Sequence, residues 1–319
     1  MGRLKWERTT LNHFGDDLTN AVRRAAAPVV VGLDPRCEHL PTGLAPVDPS
    51  DFRQRAQAYA LFCRAVIDVV APLVPAVKPQ AAFFEECGPA GMAALAEVMD
   101  HARRQGLLVI LDGKRGDIGS TAEAYARGYL GRDGRSAWQA DALTINPYLG
   151  ADSLAPFVSV AAERGAGVFV LVKTSNPGSG MLQDQQVGGK PLYQQVAQYV
   201  EKRAEASRGQ SGYGIVGAVV GATYPQQLAE LRTAMPSSWL LVPGYGSQGG
   251  TAEDVAAAFD PSGLGAVVNN SRGIIFAHRR EEYRQQFGDA RWQEAVAAAT
   301  QEMIAQLRAA TPAGRLLAE

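Results

Sequence analysis

The chain has 319 residues, of which 46% are hydrophobic, and a formal net charge of -1. A chain of this length and composition can bury a large core, either in one large α/β barrel or in two ordinary domains. The nearly neutral charge, with no long run of one sign, argues against a protein that binds nucleic acid or a membrane surface. No stretch reaches the length of a membrane span, so we expect neither kind of partner.

The cysteines and the first residues predict the compartment. Cys37, Cys63 and Cys87 are odd in number and lack C-x-x-C spacing, a pattern that indicates neither a disulfide framework nor a zinc site. The residues after Met1 include no apolar segment of the kind that a secretory signal needs, and Trp6 stands where a myristoylation signal needs Ser or Thr. We therefore predict a cytoplasmic protein.

Short apolar runs recur along the chain between longer, alanine-rich stretches of helical character. Strands that alternate with helices pair in parallel through right-handed crossovers, and eight such units over this length predict a (β/α)8 TIM barrel. The alternative is a doubly wound open sheet, but Gly32-Leu33-Asp34-Pro35 stands where that fold carries G-x-G-x-x-G. The eight predicted strands are Val29–Leu33, Ala76–Phe84, Leu107–Leu111, Ala142–Ile145, Gly167–Val172, Ile215–Val220, Trp239–Val242 and Gly265–Val268.

The remaining segments are expected to complete one barrel domain over residues 1–319. The barrel core covers about residues 29–276, preceded by a leading helix at 8–26 and followed by one or two trailing helices at 279–309. The spacing of apolar residues predicts that the trailing helices pack on the outside of the barrel. Their predicted core contacts are Trp292, Val296, Met303, Ile304 and Leu307.

Two connections are longer than the others. Residues 35–52 are rich in Pro, and residues 176–192 are rich in Gly and Gln. Insertions after barrel strands lie on the face that carries active sites, which makes the second connection a candidate lid or substrate loop. A tolerated surface insertion is the other interpretation, and the sequence leaves both open.

A cluster of charges follows the third predicted strand. The apolar run Leu107–Leu111 ends in Asp112, Lys114 and Asp117, spaced Asp-x-Lys-x-x-Asp. Side chains alternate along a strand, so Asp112 and Lys114 share a face. Charges next to an apolar wall cost several kcal/mol unless they are paired. The cluster therefore indicates either a structural ion pair that ends a strand or a functional site.

Polar residues also end the other predicted strands. In a barrel these ends form one mouth, where polar groups are typical of catalytic and binding residues. Any single one could be a satisfied buried polar group, but the full set is hard to explain as packing. The set contains Asp34, Lys78, Asp112, Lys114, Asn146, Thr174, Ser175, Gln248 and Arg272.

Two segments near the end of the barrel predict a phosphate site. Residues 243–250 form a Gly-rich loop after strand seven, and residues 271–274, which include Arg272, follow strand eight. Phosphate sites in such barrels lie in these two loops, where backbone N–H groups can approach an anion. The planar guanidinium of Arg272 adds donors that match phosphate.

A rim helix is expected to begin shortly after the charge cluster. Ser120-x-x-Glu123 has the spacing of a capping box. Asp117 and Thr121 are four residues apart and would share a face near the start of that helix. Asp117 could cap the helix or bring a second charge near the site.

With these residues in place, the chain resembles the orotidine 5'-phosphate decarboxylase family, in its longer bacterial form. The resemblance covers about residues 29–276, and its most specific part is Leu111-Asp112-Gly113-Lys114-Arg115-Gly116-Asp117-Ile118-Gly119-Ser120-Thr121. It implies a homodimer with shared active sites and no metal or cofactor. It also implies the following roles: Lys78, Asp112, Lys114 and Asp117 form an alternating charge network; Asp117, Ile118 and Thr121 reach the partner's site; Asp34 and Lys78 bind the ribose; Ser175 binds the pyrimidine; and Gln248 and Arg272 bind the phosphate. Pro243 and Gly273, in the same two loops, are further substrate-binding residues. Asn146 and the 176–192 connection receive no role.

The reaction that the resemblance implies is decarboxylation of orotidine 5'-monophosphate to UMP, with Lys114 stabilising and protonating the carbanion at C6. One alternative is a sugar-phosphate decarboxylase or aldolase on the same barrel, which also uses Asp-x-Lys-x-x-Asp but holds Mg²⁺. That site would need a further acidic ligand at the end of strand two, where this chain has Lys78, and Glu85 and Glu86 come later. The other alternative is a catalytically silent barrel that senses a nucleotide, but such a protein should have lost a charge from the cluster.

Overall fold

The structure, a computed structural model, describes residues 13–132, 134–246 and 249–317. Eight parallel strands close into a barrel in the order β1-β10-β9-β8-β5-β4-β3-β2. The barrel strands are β1 (Val29–Leu33), β2 (Ala76–Pro79), β3 (Leu108–Arg115), β4 (Ala142–Ile145), β5 (Gly167–Lys173), β8 (Val216–Val220), β9 (Leu240–Val242) and β10 (Ala266–Asn270). Each corresponds to one predicted strand, so the predicted TIM barrel is confirmed.

Helices separate the strands and cover the outside of the barrel, except between β9 and β10, where the described residues form a 3-10 turn at Ala256–Ala258. Every residue of β1, β4, β8 and β10 is buried, as expected for parallel strands covered on both faces. The helices are α1 (Phe14–Ala25), α2 (Phe52–Val70), α3 (Ala81–Glu85), α4 (Gly88–Arg104), α5 (Gly119–Tyr129), α6 (Ala151–Arg164), α7 (Gly180–Gln183), α8 (Leu192–Ala206), α9 (Pro225–Ala234), α10 (Arg272–Ile275), α11 (Glu281–Phe287) and α12 (Trp292–Ala310). No helix of these described parts of the chain is long and apolar enough to cross a membrane.

Helix α1 packs at the N-terminal end of β5, on the side of the barrel opposite the strand ends that carry the charges. The Phe14 ring lies so close to Gly167 that a Cβ there would be 2.1 Å from it. Phe14 also meets Phe169 edge to face, with 5.8 Å between ring centroids. The helix lies within the predicted range of 8–26, of which residues 8–12 fall outside the described part.

Helix α12 packs on α2. Its Trp292 ring lies 5.3 Å from that of Phe62, and all five apolar residues predicted to pack against the barrel are buried. The trailing segment forms two helices, α11 and α12.

Two local predictions are wrong. The second strand ends at Pro79 rather than at Phe84, because residues 81–85 form helix α3. An apolar run alone does not distinguish a strand from a buried helix. The predicted capping box is also absent: α5 has Ile118 at its N-cap with no side-chain hydrogen bond, and Glu123 pairs with Arg127.

Segment 176–192, which follows β5, has local structure of its own. A 3-10 turn at Pro177–Ser179 leads into the short helix α7. Strands β6 (Gln186–Val187) and β7 (Lys190–Pro191) then form an antiparallel hairpin. The segment is therefore folded, and its residues 176–179 lie at the barrel mouth.

Candidate active site

A cavity of about 1260 Å³ opens at the C-terminal end of the barrel. All eight barrel strands, or the residues directly after them, contribute to its wall. Among the predicted site residues, the cavity is bordered by Asp34, Lys78, Asp112, Lys114, Asn146, Thr174, Ser175, Pro243 and Arg272. The structure thus brings together residues that are far apart in the sequence.

Asp112 lies at the centre of the polar network, buried near the end of β3. Its Oδ2 accepts hydrogen bonds from Lys78 Nζ at 2.7 Å and from Gln80 Nε2 at 3.1 Å. Its Oδ1 accepts from Lys114 Nζ at 2.6 Å and from Thr144 Oγ1 at 3.0 Å. A buried carboxylate with four donors, two of them charged, is well satisfied and its position is fixed.

The two lysines hold Asp112 in its ionised form. Burial alone would raise the pKa of the Asp112 carboxyl, but the attraction of Lys78 and Lys114 outweighs it and holds that pKa well below its usual range. Burial alone would lower the pKa of Lys78, but attraction to Asp112 and Asp34 raises it above the usual value. The site therefore presents an ammonium–carboxylate–ammonium chain at neutral pH.

Lys114 differs from Lys78 in its exposure and its backbone. Its side chain is 47% exposed and faces the cavity, whereas that of Lys78 is buried. Its φ of 46° lies in the left-handed region, and its backbone amide donates to Thr144 Oγ1 at 2.9 Å. The pairing of β3 with β4 shifts register between Leu111 and Arg115. Such an irregularity re-aims a side chain next to an active site.

Asp34 and Asn269 contribute buried acceptors to the same cavity. Asp34 Oδ1 and Asn269 Oδ1 have no hydrogen-bond partner among the described residues. Buried polar atoms are normally paired. These two atoms can therefore accept hydrogen bonds from the hydroxyl groups of a ligand.

The two loops predicted to bind phosphate lie side by side at the mouth. Pro243 and Arg272 border the cavity. Gly273 is not part of the described cavity wall, and its amide donates to Asn270 Oδ1 at 3.2 Å. Gln248 lies outside the described residues.

Asp117, Ile118 and Thr121 do not border the described wall of the cavity. Asp117 Oδ1 accepts a hydrogen bond from the Ile118 amide at 2.8 Å. Ile118 is 58% exposed. These three residues lie on the rim, around the start of α5.

The two acidic residues after β2 are not part of the described cavity wall. Glu85 pairs with Arg115, and Glu86 pairs with Arg55. The end of β2 therefore presents the ammonium of Lys78 to Asp112. A cation bound to Asp112 would have to compete with that ammonium.

Sequence reasoning did not identify Gln80, Thr144 and Asn269, which border the cavity, or Lys173, which lies next to its described wall. Thr144 is polar within an otherwise apolar run, which is a signal in the sequence. Gln80 could have been found in the same way, because it directly follows β2. Asn269 lies within β10, which extends two residues beyond the predicted strand.

The sequence pattern indicates the role of Lys173 least, because the residues that pair with it lie further along the chain. It ends β5 directly after the apolar run that was predicted to stop at Val172. Its side chain is fully buried against segment 176–192.

Comparison with known proteins places this geometry in a family. The model of the orotidine 5'-phosphate decarboxylase / HUMPS family matches residues 27–286. The chain belongs to this family. The match spans the whole barrel and confirms the family predicted from the sequence.

Members of the orotidine 5'-phosphate decarboxylase / HUMPS family resemble the chain in sequence and in structure. An orotidine 5'-phosphate decarboxylase of Rhodopirellula baltica is 57% identical over 301 residues, which are 92% of this chain and 99% of that protein. One of Deinococcus radiodurans is 44% identical over 264 residues, 83% of this chain and 89% of that protein. The solved structure of Leishmania donovani OMP decarboxylase matches with a TM-score of 0.72 and 34% identity, covering 93% of this chain and 98% of that chain.

Proposed function

We propose that this chain converts orotidine 5'-monophosphate to UMP and carbon dioxide, as a carboxy-lyase of pyrimidine biosynthesis. The observation that carries the proposal is the Lys78–Asp112–Lys114 chain, with both ion pairs at 2.7 Å or less. The names of the relatives support the same activity. The three free cysteines support a cytoplasmic location, since thiols persist in a reducing compartment.

The reaction needs electrostatic stabilisation at C6. Loss of carbon dioxide leaves a lone pair in the plane of the pyrimidine, which the ring π-system cannot delocalise. The Lys114 ammonium, held by Asp112 and facing the cavity, stabilises this carbanion and then donates a proton to C6. The proton moves from Nζ to carbon, so UMP forms and Lys114 is left neutral until it is reprotonated.

The other predicted residues bind the nucleotide. Asp34, with its unpartnered Oδ1, and Lys78 bind the ribose hydroxyls. Ser175 binds the pyrimidine. Gln248 and Arg272 bind the phosphate, and Pro243 and Gly273 of the same two loops also contact the substrate. Contacts at the phosphate, remote from C6, supply binding energy that orders the site.

The active unit is a homodimer in which rim residues complete the partner's site. Asp117, Ile118 and Thr121 do not border the described wall of their own cavity, and Ile118 leaves an apolar side chain in solvent. An isologous pairing across the rim would bring them to the mouth of the partner subunit. Asp117 would then extend the alternating charges beyond Lys114.

The test is UMP formation from orotidine 5'-monophosphate in the presence of EDTA. We expect full activity, because the carboxylate of Asp112 is occupied by two ammonium groups. Activity that disappears with EDTA and returns with Mg²⁺ would assign the chain to the metal-dependent sugar-phosphate chemistry instead. Binding of the nucleotide without turnover would indicate a sensing protein.

A further inference from the structure

Lys173, the last residue of β5, has a side chain that is 0% exposed. Its Nζ lies 2.6 Å from Asp184 Oδ1 and 3.3 Å from Ser179 Oγ. The ring of Tyr224 lies 4.6 Å from the same nitrogen. A buried ammonium is costly unless it is paired and hydrogen-bonded. The burial of Lys173 therefore depends on these partners.

An irregularity of the strand directs Lys173 outward. The pairing of β5 with β8 shifts register between Leu171 and Lys173, and a bulge of this kind re-aims a side chain. Leu171 and Val172 border the cavity, whereas Lys173 is not in its described wall. The lysine thus lies behind the wall and cannot act on a ligand directly.

The hydrogen-bonding partners of Lys173 belong to segment 176–192. Asp184 is 45% exposed and directly follows α7. Gln183 adds a second tie to the same strand end, since its Oε1 accepts from the Thr174 amide at 3.0 Å and its Nε2 donates to Thr174 Oγ1 at 2.8 Å. A fixed strand end and a surface segment are therefore joined by one ion pair and three hydrogen bonds, of which the third is that from Lys173 to Ser179.

Residues 174–184, which these contacts hold against the barrel, form part of the cavity wall. Movement of the segment away from the barrel would separate the Lys173 ammonium from the Asp184 carboxylate. The ion pair therefore favours the conformation in which the wall is formed. The wall residues from this part of the chain are Thr174, Ser175, Asn176, Pro177, Gly178, Ser179, Leu182 and Gln183.

We propose that Lys173 is a positioning residue, whose ion pair with Asp184 holds residues 174–184 as a fixed wall of the substrate cavity and thereby sets the affinity for substrate. The link to substrate rests on the proposed function, in which Ser175 binds the pyrimidine. Segment 176–192 is then part of the binding site in the resting enzyme.

The kinetic test uses Asp184→Asn, Asp184→Glu and a matched control. Without the carboxylate, the wall is formed in only a fraction of the molecules, and apparent affinity falls by that fraction. We expect Asp184→Asn to raise KM for orotidine 5'-monophosphate about tenfold with kcat within about twofold, for a formed fraction of about a tenth. Asp184→Glu should recover part of the loss. The control is Glu97→Gln, which removes an ion pair with Arg64 between half-exposed side chains of α2 and α4 and should leave both constants unchanged.

Hydrogen exchange of the ligand-free protein provides a second readout, which needs no activity. Peptides covering residues 174–185 should exchange about tenfold faster in Asp184→Asn than in wild type, and no faster in Glu97→Gln. Unchanged exchange in Asp184→Asn would overturn the proposal. Faster exchange with an unchanged KM would also overturn it, since the ion pair would then be purely structural. If the wild-type protein fails to decarboxylate, the proposed function fails, while the exchange measurement still tests the anchoring.

Discussion

Two regions at the mouth of the barrel differ in how complete they are within one chain. The charge network of Lys78, Asp112 and Lys114 is buried at the strand ends, and Asp112 accepts four hydrogen bonds from its own chain. The rim, residues 117–121, has its side chains outside the described cavity wall, and Ile118 is exposed. Folding of one chain is thus enough to organise the charge network. The rim, in contrast, is expected to contact an active site only when two subunits assemble.

The largest effect is expected at Lys114. Lys114→Ala removes the proton donor and the main positive charge beside C6, and loss of one such group typically lowers kcat by at least 10²–10³. The fold should persist, because the side chain is half exposed; circular dichroism and nucleotide binding would verify this. A variant that retains more than about a tenth of wild-type kcat would contradict the assigned mechanism.

Asp112→Asn tests whether the network is complete within the chain. Removing one partner of a buried ion pair typically costs about 3–5 kcal/mol. Because the pKa of Asp112 is depressed in the folded state, its stabilisation is present above the unfolded carboxyl pKa of about 3.9 and is lost as the pH falls below that value.

The stabilisation by the Asp112 charge is measured by thermal unfolding of wild type and Asp112→Asn at pH 7 and in steps down to pH 3. The difference in Tm between the two proteins should shrink as the pH falls below about 4. A difference that stays constant over the whole range would show that the carboxylate charge is not what stabilises the site.

Ile118→Ala tests the rim as an interface. Each dimer would bury two copies of Ile118, and truncating a buried side chain of this size costs on the order of 1 kcal/mol or more per copy. The dimer Kd should therefore rise roughly tenfold or more, as measured by sedimentation equilibrium. Val47→Ala is the matched control, since Val47 is 97% exposed on the Pro-rich connection. Equal dimer Kd values in the two variants would show that Ile118 is not part of the interface.

The smallest effect, and the most specific, is recovery of activity in mixed dimers. If Asp117 serves the partner's site, Lys114→Ala and Asp117→Ala damage different sites of a mixed dimer, and one site stays intact. Random subunit exchange between two nearly inactive variants should then restore up to about a quarter of wild-type activity per total site. Mass-tagged subunits would confirm the exchange. With exchange confirmed, an absence of recovery would mean that both residues serve one subunit.

The barrel could be predicted because its signal is local and repeated. Apolar runs bounded by polar residues placed all eight strands, and the alternation of side chains placed Asp112 and Lys114 on one face. The end of the second strand was predicted incorrectly because Ala81–Phe84 are apolar in either a strand or a buried helix. The periodicity therefore predicted the existence of each strand more reliably than the residue at which the strand ends.

The site was predictable where its residues end a strand, but not where their partners are distant. Lys173 illustrates the limit, since its counter-charge Asp184 lies eleven residues later in a segment of no clear periodicity. The register shift that turns Lys173 outward arises from pairing with β8, far along the chain. Nothing in the local pattern indicates that this lysine is buried.

The left-handed backbone of Lys114 is a cost that its side chain offsets. A φ of 46° is disfavoured for any residue with a Cβ, and glycine would relieve that cost of about 1–2 kcal/mol. Glycine would also remove the ammonium group that pairs with the buried Asp112 and that the proposed mechanism needs. Because breaking a buried ion pair typically costs about 3–5 kcal/mol, a screen of variants at position 114 for heat resistance alone should still favour lysine over glycine.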